Sequence, residues 1–205
     1  MGSQDLQTRR SEHVLQKRRR RRAEILHAAL RAFREKGYHA TTLDDIADRV
    51  GIGNTALYHY FPDKESILYD CHRESLAEVH RLLAEATSQY ESAAAQLAYV
   101  IREHVRVMTE TLEGSPLAFE VSALDPDHQA EVIAERDRYE RGLRTIIVRG
   151  QRAGEFRSVD PKIATFAILG AINWIARWFR PDGAIHTQEL GREFASQLVG
   201  GLIGR

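Results

Sequence analysis

Cysteine is almost missing from this chain. Cys71 stands alone among 205 residues, so no intrachain disulfide can form and no cysteine-built zinc site is available. A small helix position is the plain reading of Cys71, and a reducing cytoplasm is the expected compartment. No apolar run reaches the roughly 18 residues of a membrane-spanning helix, so no membrane association is expected. The N-terminal residues are polar and basic without an apolar core, so a secretory leader is not expected. Lysine is scarce as well. Of 29 basic residues only Lys17, Lys36, Lys64 and Lys162 are lysines, a bias read as GC-rich coding rather than function. Catalytic signatures are also missing. There is no His-Glu-x-x-His, no Gly-x-Ser-x-Gly and no Walker loop, and the nine histidines are scattered. No enzymatic activity, resident cofactor or metal is expected.

What is present is an uneven charge distribution under a net charge of zero. Residues 1–62 carry 12 Lys+Arg against 7 Asp+Glu, a net of +5; residues 63–205 carry 17 against 22, a net of −5. A basic first third on an acidic body points to a polyanionic partner for the first third alone. Six adjacent positive charges, Lys17 to Arg22, repel one another, so residues 1–19 are expected to form a disordered basic arm.

Apolar spacing predicts helices and little else. Ile25, Leu26, Ala29, Leu30 and Phe33 recur on one face of a helix over about 20–36, stopped by Gly37. Thr42 and Asp45 form a capping-box pattern ahead of a helix at 43–50, and Pro62 ends another at 54–60. Further helices are expected near 63–88, 93–113, 116–123, 126–153, 161–179 and 187–203. Asp125-Pro126 and Asp160-Pro161 each place an N-cap before a proline suited to the first helical turn. Arg180–Gly183 reads as a turn, and Thr187 as a cap for the last helix. No alternating strand pattern and no internal repeat stands out. The expected fold is all-α: a three-helix head at 20–65 and a helical body at 66–205.

Residues 42–68, TLDDIADRVGIGNTALYHYFPDKESIL, carry the functional signal. Ile46, Val50, Ile52 and Leu57 can meet between two short helices, Ala47 is small at their crossing, and Gly51 suits a turn that needs positive φ. This is the layout of a helix-turn-helix, whose second helix enters the major groove. On that helix Asn54 is the candidate for base readout, because an amide pairs with adenine N6 and N7, and Thr55 can meet a thymine methyl. Tyr58, His59 and Tyr60 are further candidates, with packing of the small head as the competing reading for the tyrosines. Arg20 and Arg22 belong to the basic run that would follow phosphates.

The segment LYHYFPDKESIL, with AALRAFREKGYHATTLDDIADRVGI before it, resembles the DNA-binding domain of the TetR family of bacterial repressors over roughly residues 20–70. The resemblance implies a homodimeric repressor of double-stranded operator DNA, with two heads about 34–36 Å apart for half-sites one turn apart. It also implies phosphate contacts from Thr41, Thr42 and Lys64. Gly53 departs from the pattern, standing where Ser or Thr often caps the recognition helix; a softer helix start is expected.

In TetR-like proteins the last two helices form a four-helix bundle across the dimer axis. Phe166, Leu169, Ile172, Phe194, Leu198 and Leu202 are the candidates for core or dimer contacts here. The string Asn173-Trp174-Ile175-Ala176-Arg177-Trp178-Phe179-Arg180-Pro181-Asp182-Gly183 is similar to a segment of TetR-type regulators that answer to acyl-coenzyme A thioesters. Arg177 and Arg180 could then take phosphates, while Asn173, Trp174 and Trp178 would line the ligand path. The alternative is a packing stripe of Trp174 and Trp178 with surface arginines. Arg141 and Arg144 are minor ligand candidates, and Met108, Phe119, Leu124, Tyr139 and Leu143 could line an apolar pocket. The implied mechanism has two states: effector prefers a conformer with displaced heads, moved through helix 63–88. Two other functions remain open. One is a repressor answering to a drug-like or other hydrophobic molecule, the other a dimeric DNA-binding protein without ligand.

Overall fold

The computed structural model describes residues 3–112 and 117–203, with backbone alone at 3–11 and 118. Among these residues there are eight α-helices and no strand: α1 Ser3–Lys36, α2 Leu43–Val50, α3 Asn54–Tyr58, α4 Lys64–Gln89, α5 Ala93–Arg106, α6 Pro126–Arg152, α7 Pro161–Trp178 and α8 Thr187–Gly200. A π turn, Val107–Thr111, extends α5, and two single turns of 3₁₀ helix, Leu117–Phe119 and Val121–Ala123, lead into α6.

The caps explain most boundaries. Thr42 accepts from the Asp45 amide and Asp45 accepts from the Thr42 amide, so both free donors at the start of α2 are matched. Lys36, then the Thr42 amide, hold the Asp45 carboxyl down to about 2. Gly51 ends α2 at φ 71°, a left-handed conformation that a Cβ would strain. Asp125 and Asp160 cap α6 and α7 ahead of Pro126 and Pro161, as the sequence predicts.

Four expectations are corrected. Residues 3–19 are not a disordered arm but continue α1; from Ser3 to Lys36 the sequence has no Gly or Pro and is rich in Arg, Gln, Leu and Glu, all good helix formers. Side chains 12–20 are exposed, and Glu24 pairs with Arg20 and Arg21 where the helix meets the head. The recognition helix is shorter than 54–60, because the chain turns after Tyr58 to bury Phe61. The helix expected at 116–123 is broken into two 3₁₀ turns; residues 113–116, which would join it to α5, lie outside the described residues. Thr187 does not cap α8: His186 occupies that position and gives no side-chain bond.

The head packs α1, α2 and α3 around Ile25, Leu26, Phe33, Ile46, Leu57 and Phe61, all buried. α4 rests on α1 at its start and on α5 and α6 further along, so it belongs to both halves. In the body α5 lies tightly along α8. A Cβ at Gly191 would sit 3.1 Å from the Arg102 carbonyl oxygen, so glycine permits the approach. Ile172 and Leu202, offered above as core or dimer contacts, are buried in the core, Ile172 on the inner face of α7 and Leu202 in the turn after α8.

Candidate DNA-reading head and effector cavity

On the head, the structure separates exposed polar groups from those committed inside the chain. Thr42, Asn54, Thr55, Tyr58 and His59 are exposed, Tyr58 at 55% of its surface. The Asn54 amide donates to Asp44, tying α3 to α2 in the free protein. Tyr60 is half-buried against the head core. Arg20 stands outward, paired with Glu24.

Three residues proposed to meet phosphates make bonds inside the head in the free protein. Thr41 is buried, and its hydroxyl donates to the carbonyls of Ala32 at 3.2 Å and Gly37 at 2.8 Å. It closes the end of α1, where carbonyls lack helical partners. The Lys64 ammonium donates to the carbonyls of Tyr38 (2.8 Å), His39 (3.2 Å) and Thr41 (2.8 Å) and lies 4.5 Å from the Tyr38 ring centre. Three acceptors saturate its three N–H donors, and desolvation lowers its pKa. Arg22 donates from Nε to Asp70 at 2.7 Å, pairs with it again through Nη2, and donates from Nη1 to the Tyr60 carbonyl at 3.0 Å. Its guanidinium lies 4.2 Å from the Phe61 ring centre. Arg22 therefore clamps α1 to α4 and to the end of α3.

In the body, a cavity of about 370 Å³ opens between α4, the end of α5 with its π turn, α6 and α7. Leu76, Val79, Met108, Leu112 and Leu117 give it apolar walls. Of the residues the sequence offered as ligand contacts, Met108, Tyr139 and Asn173 reach it, and so do Phe166 and Leu169 from the dimer set. Leu143 is buried in the core beside it, and Leu124 is buried at the foot of α6. Phe119, Trp174 and Arg177 form a separate exposed cluster: the Arg177 guanidinium lies 4.5 Å from the Phe119 ring centre, and Phe119 meets Trp174 edge-on. Trp178 leans on Phe194. Arg180 is exposed in the turn after α7. Arg141 and Arg144 are not in the cavity; they line a shallow groove along α6 with Arg149 and Arg152, and Arg144 pairs with Glu140.

Four polar residues of the cavity were not among the ligand contacts the sequence offered. His72, His104, Arg136 and Glu140 line it. Burial holds His72 at about 3, aided by Arg136, and His104 at about 4, so both rings are neutral near pH 7. The Tyr139 hydroxyl lies 3.0 Å from His104 Nδ1. A signal was there: His72 interrupts the stripe Leu68–Leu76–Val79, His104 the stripe Leu97–Ile101–Met108, and Glu140 the stripe Val132–Leu143–Ile147. A polar residue on an apolar face is the mark of a satisfied core group or a ligand contact.

Comparison with known proteins bears on both halves. Residues 25–71 match the tetR family of bacterial regulatory proteins, and residues 90–202 match the tetracyclin repressor-like C-terminal domain. The chain belongs to the TetR family. This TetR chain is 30% identical over 193 residues to the HTH-type transcriptional repressor KstR2 of Rhodococcus jostii, covering 89% of this chain and 91% of that one. It is 35% identical to the TetR family regulator PfmR of Thermus thermophilus, with a TM-score of 0.78 over 88% of this chain and 99% of that one. AibR, solved with isovaleryl coenzyme A and operator DNA, shares the fold at 24% identity and a TM-score of 0.76, over 89% of this chain and 98% of that one. The TetR chain is thus a helix-turn-helix transcriptional repressor and not an enzyme. No described helix is long and apolar enough to cross a membrane.

Proposed function

We propose that this TetR repressor acts as a homodimer, reads its operator through the exposed face of α3, and leaves it when an acyl-coenzyme A thioester binds the body. The observation that carries the reading is the apolar cavity walled by α4, the same helix that Arg22 clamps to the head through Asp70. An acyl chain suits the Leu76, Val79 and Met108 walls. Arg177 and Arg180 stand exposed at the end of α7, suited to coenzyme A phosphates. The AibR complex with isovaleryl coenzyme A supports the effector class by likeness of fold. On the head, Asn54, Thr55, Tyr58 and His59 would meet the major groove and Thr42 the backbone, while Arg20 adds a phosphate contact.

Dimerisation is supported by exposed apolar side chains on α7. Ile163, Phe166 and Trp174 show 64%, 51% and 58% of their surface, an apolar face that a second copy would cover. Effector lowers operator affinity only by its preference for the released conformer over the bound one.

The test is fluorescence anisotropy of a labelled fragment from the gene's own promoter, titrated with protein and then with acyl-CoAs, alongside sedimentation. A two-fold-symmetric footprint, a dimer and release by an acyl-CoA are expected. Release by none of a broad acyl-CoA panel, with release by a neutral hydrophobic compound, would replace this effector class with the drug-like one.

A further inference from the structure

The effector cavity contains two hydrogen-bonding atoms that nothing in the chain satisfies. Among the described residues, the buried side-chain nitrogen and oxygen atoms without a partner are His72 Nε2 and Glu140 Oε1. Both residues line the same cavity, one from α4 and one from α6. They are nearly enclosed, with 2% and 9% of their surface exposed. The other Glu140 oxygen is taken: Oε2 accepts from Arg144 at 2.6 Å. Buried polar atoms are nearly always paired, so two orphans on residues that line one cavity mark a place where something else supplies the partner.

We infer that the cavity selects effectors whose apolar body carries a hydroxyl group, which pairs with Glu140 Oε1 and His72 Nε2. The inference rests on the reading of this cavity as the effector site. The argument is one of hydrogen-bonding capacity. A carboxylate oxygen can only accept, so Glu140 needs a donor. A hydrocarbon chain offers none. A ketone could accept from the imidazole but leaves Glu140 bare. A carboxylate on the ligand would face Glu140 and Asp137 with like charge. An ammonium would satisfy Glu140 but cannot accept, and it would lie beside Arg136. A hydroxyl both donates and accepts, so it can serve either atom. Water satisfies such atoms in a wet cavity. An effector that displaces water gains only if it replaces those bonds.

The experiment uses the full-length wild-type protein and matched pairs of probes: octanoyl-CoA against its hydroxyoctanoyl-CoA isomers, and octanoate against the corresponding hydroxyoctanoates. Binding is read by calorimetry and operator release by anisotropy. At least one hydroxylated isomer should bind about tenfold or more tightly than its plain counterpart, the factor expected when a buried polar group gains its partner. It should also release the operator at correspondingly lower concentration. His72→Phe and Glu140→Leu should each pull that ratio toward one, by weakening the hydroxylated probe rather than by strengthening overall binding. Absence of any preference for hydroxylated probes, in both the thioester and the free-acid series, overturns the inference. Preference among free acids with no binding of any thioester upholds it while refuting the acyl-CoA reading. Equal binding of plain and hydroxylated thioesters, with no preference among the free acids either, does the reverse.

Discussion

The head and the body of this repressor use their polar residues in opposite ways. In the head, several polar groups turn inward onto the chain's own backbone and carboxylates: Arg22 on Asp70 and Tyr60, Lys64 on three carbonyls, Thr41 on the carbonyls at the end of α1. What the five-residue recognition helix leaves facing out is neutral: Asn54, Thr55 and Tyr58. In the body, one imidazole nitrogen and one carboxylate oxygen, on two residues that line the cavity, lack mates. The head is internally satisfied so that its outward surface holds one shape. The body is left incomplete at one point, where a ligand can finish it. Rigidity suits reading a fixed duplex, and an unfinished site suits sensing.

The comparison can be broken or sharpened by experiment, beginning with the largest effect. Phe61 is fully buried beneath the Arg22 guanidinium; Phe61→Ala should lower stability by about 3–5 kcal/mol in denaturant titration and abolish operator binding through loss of the head. A small loss with intact binding would show that the head does not depend on that clamp.

Acid comes next. His72 and His104 sit at about 3 and 4 in the folded chain against the ordinary 6.5. Below pH 6.5 the unfolded chain takes up protons that the folded chain refuses, so stability falls as pH drops toward those values. At pH 5 the loss is roughly 2 kcal/mol per histidine. His104→Phe should remove about half of the combined slope in denaturation curves taken between pH 7.5 and 5. A flat profile would mean the cavity is wet enough to hold imidazolium.

Tyr58 and Lys64 distinguish surface from scaffold. Tyr58→Ala should weaken operator binding by about 1–3 kcal/mol, with the melting temperature unchanged, since the ring is exposed. Lys64→Met should do the converse, lowering stability by about 1–3 kcal/mol as three carbonyls lose their donor. It should leave the salt dependence of operator binding as it was, whereas Arg20→Ala should reduce that slope by about one. A smaller slope from Lys64→Met would return it to the phosphate contacts.

The smallest effect lies where α4 meets α6. His128 Nδ1 lies 3.0 Å from Glu65 and 2.7 Å from Asp125, and Glu65 first, then Asp125, raise its pKa above 6.5. This contribution is present below pH 6.5 and fades as pH rises through the raised value, opposite in sign to His72 and His104. The site is exposed, so the effect is slight and screened by salt. NMR titration of His128 in wild type and Glu65→Gln should show the raised value and its loss.

Much of the fold was legible because its signals are local. The capping box at Thr42 and Asp45, the left-handed glycine at 51 and the two Asp-Pro starts are written in neighbouring residues. The roles of Arg22, Lys64 and Thr41 were not legible. Each is explained by a partner 9 to 48 positions away, and a helical pattern tells which face a residue occupies but not what lies opposite. The arm misled for a related reason: six like charges suggested repulsion, while unbroken helix-forming residues on both sides prevail in the structure. The cavity was half legible. Met108, Tyr139 and Asn173 were found from apolar and family patterns, whereas His72 and Glu140 read as ordinary polar helix residues until burial was known.

α4 places Asp70, the anchor of the head, two residues before His72, a wall of the cavity. Within less than one turn of helix, the same rod grips the head on one side and walls the cavity on the other. News of occupancy therefore has no wire to travel along. On the proposed mechanism, a tilt of that rod is at once the reception of the message and its delivery.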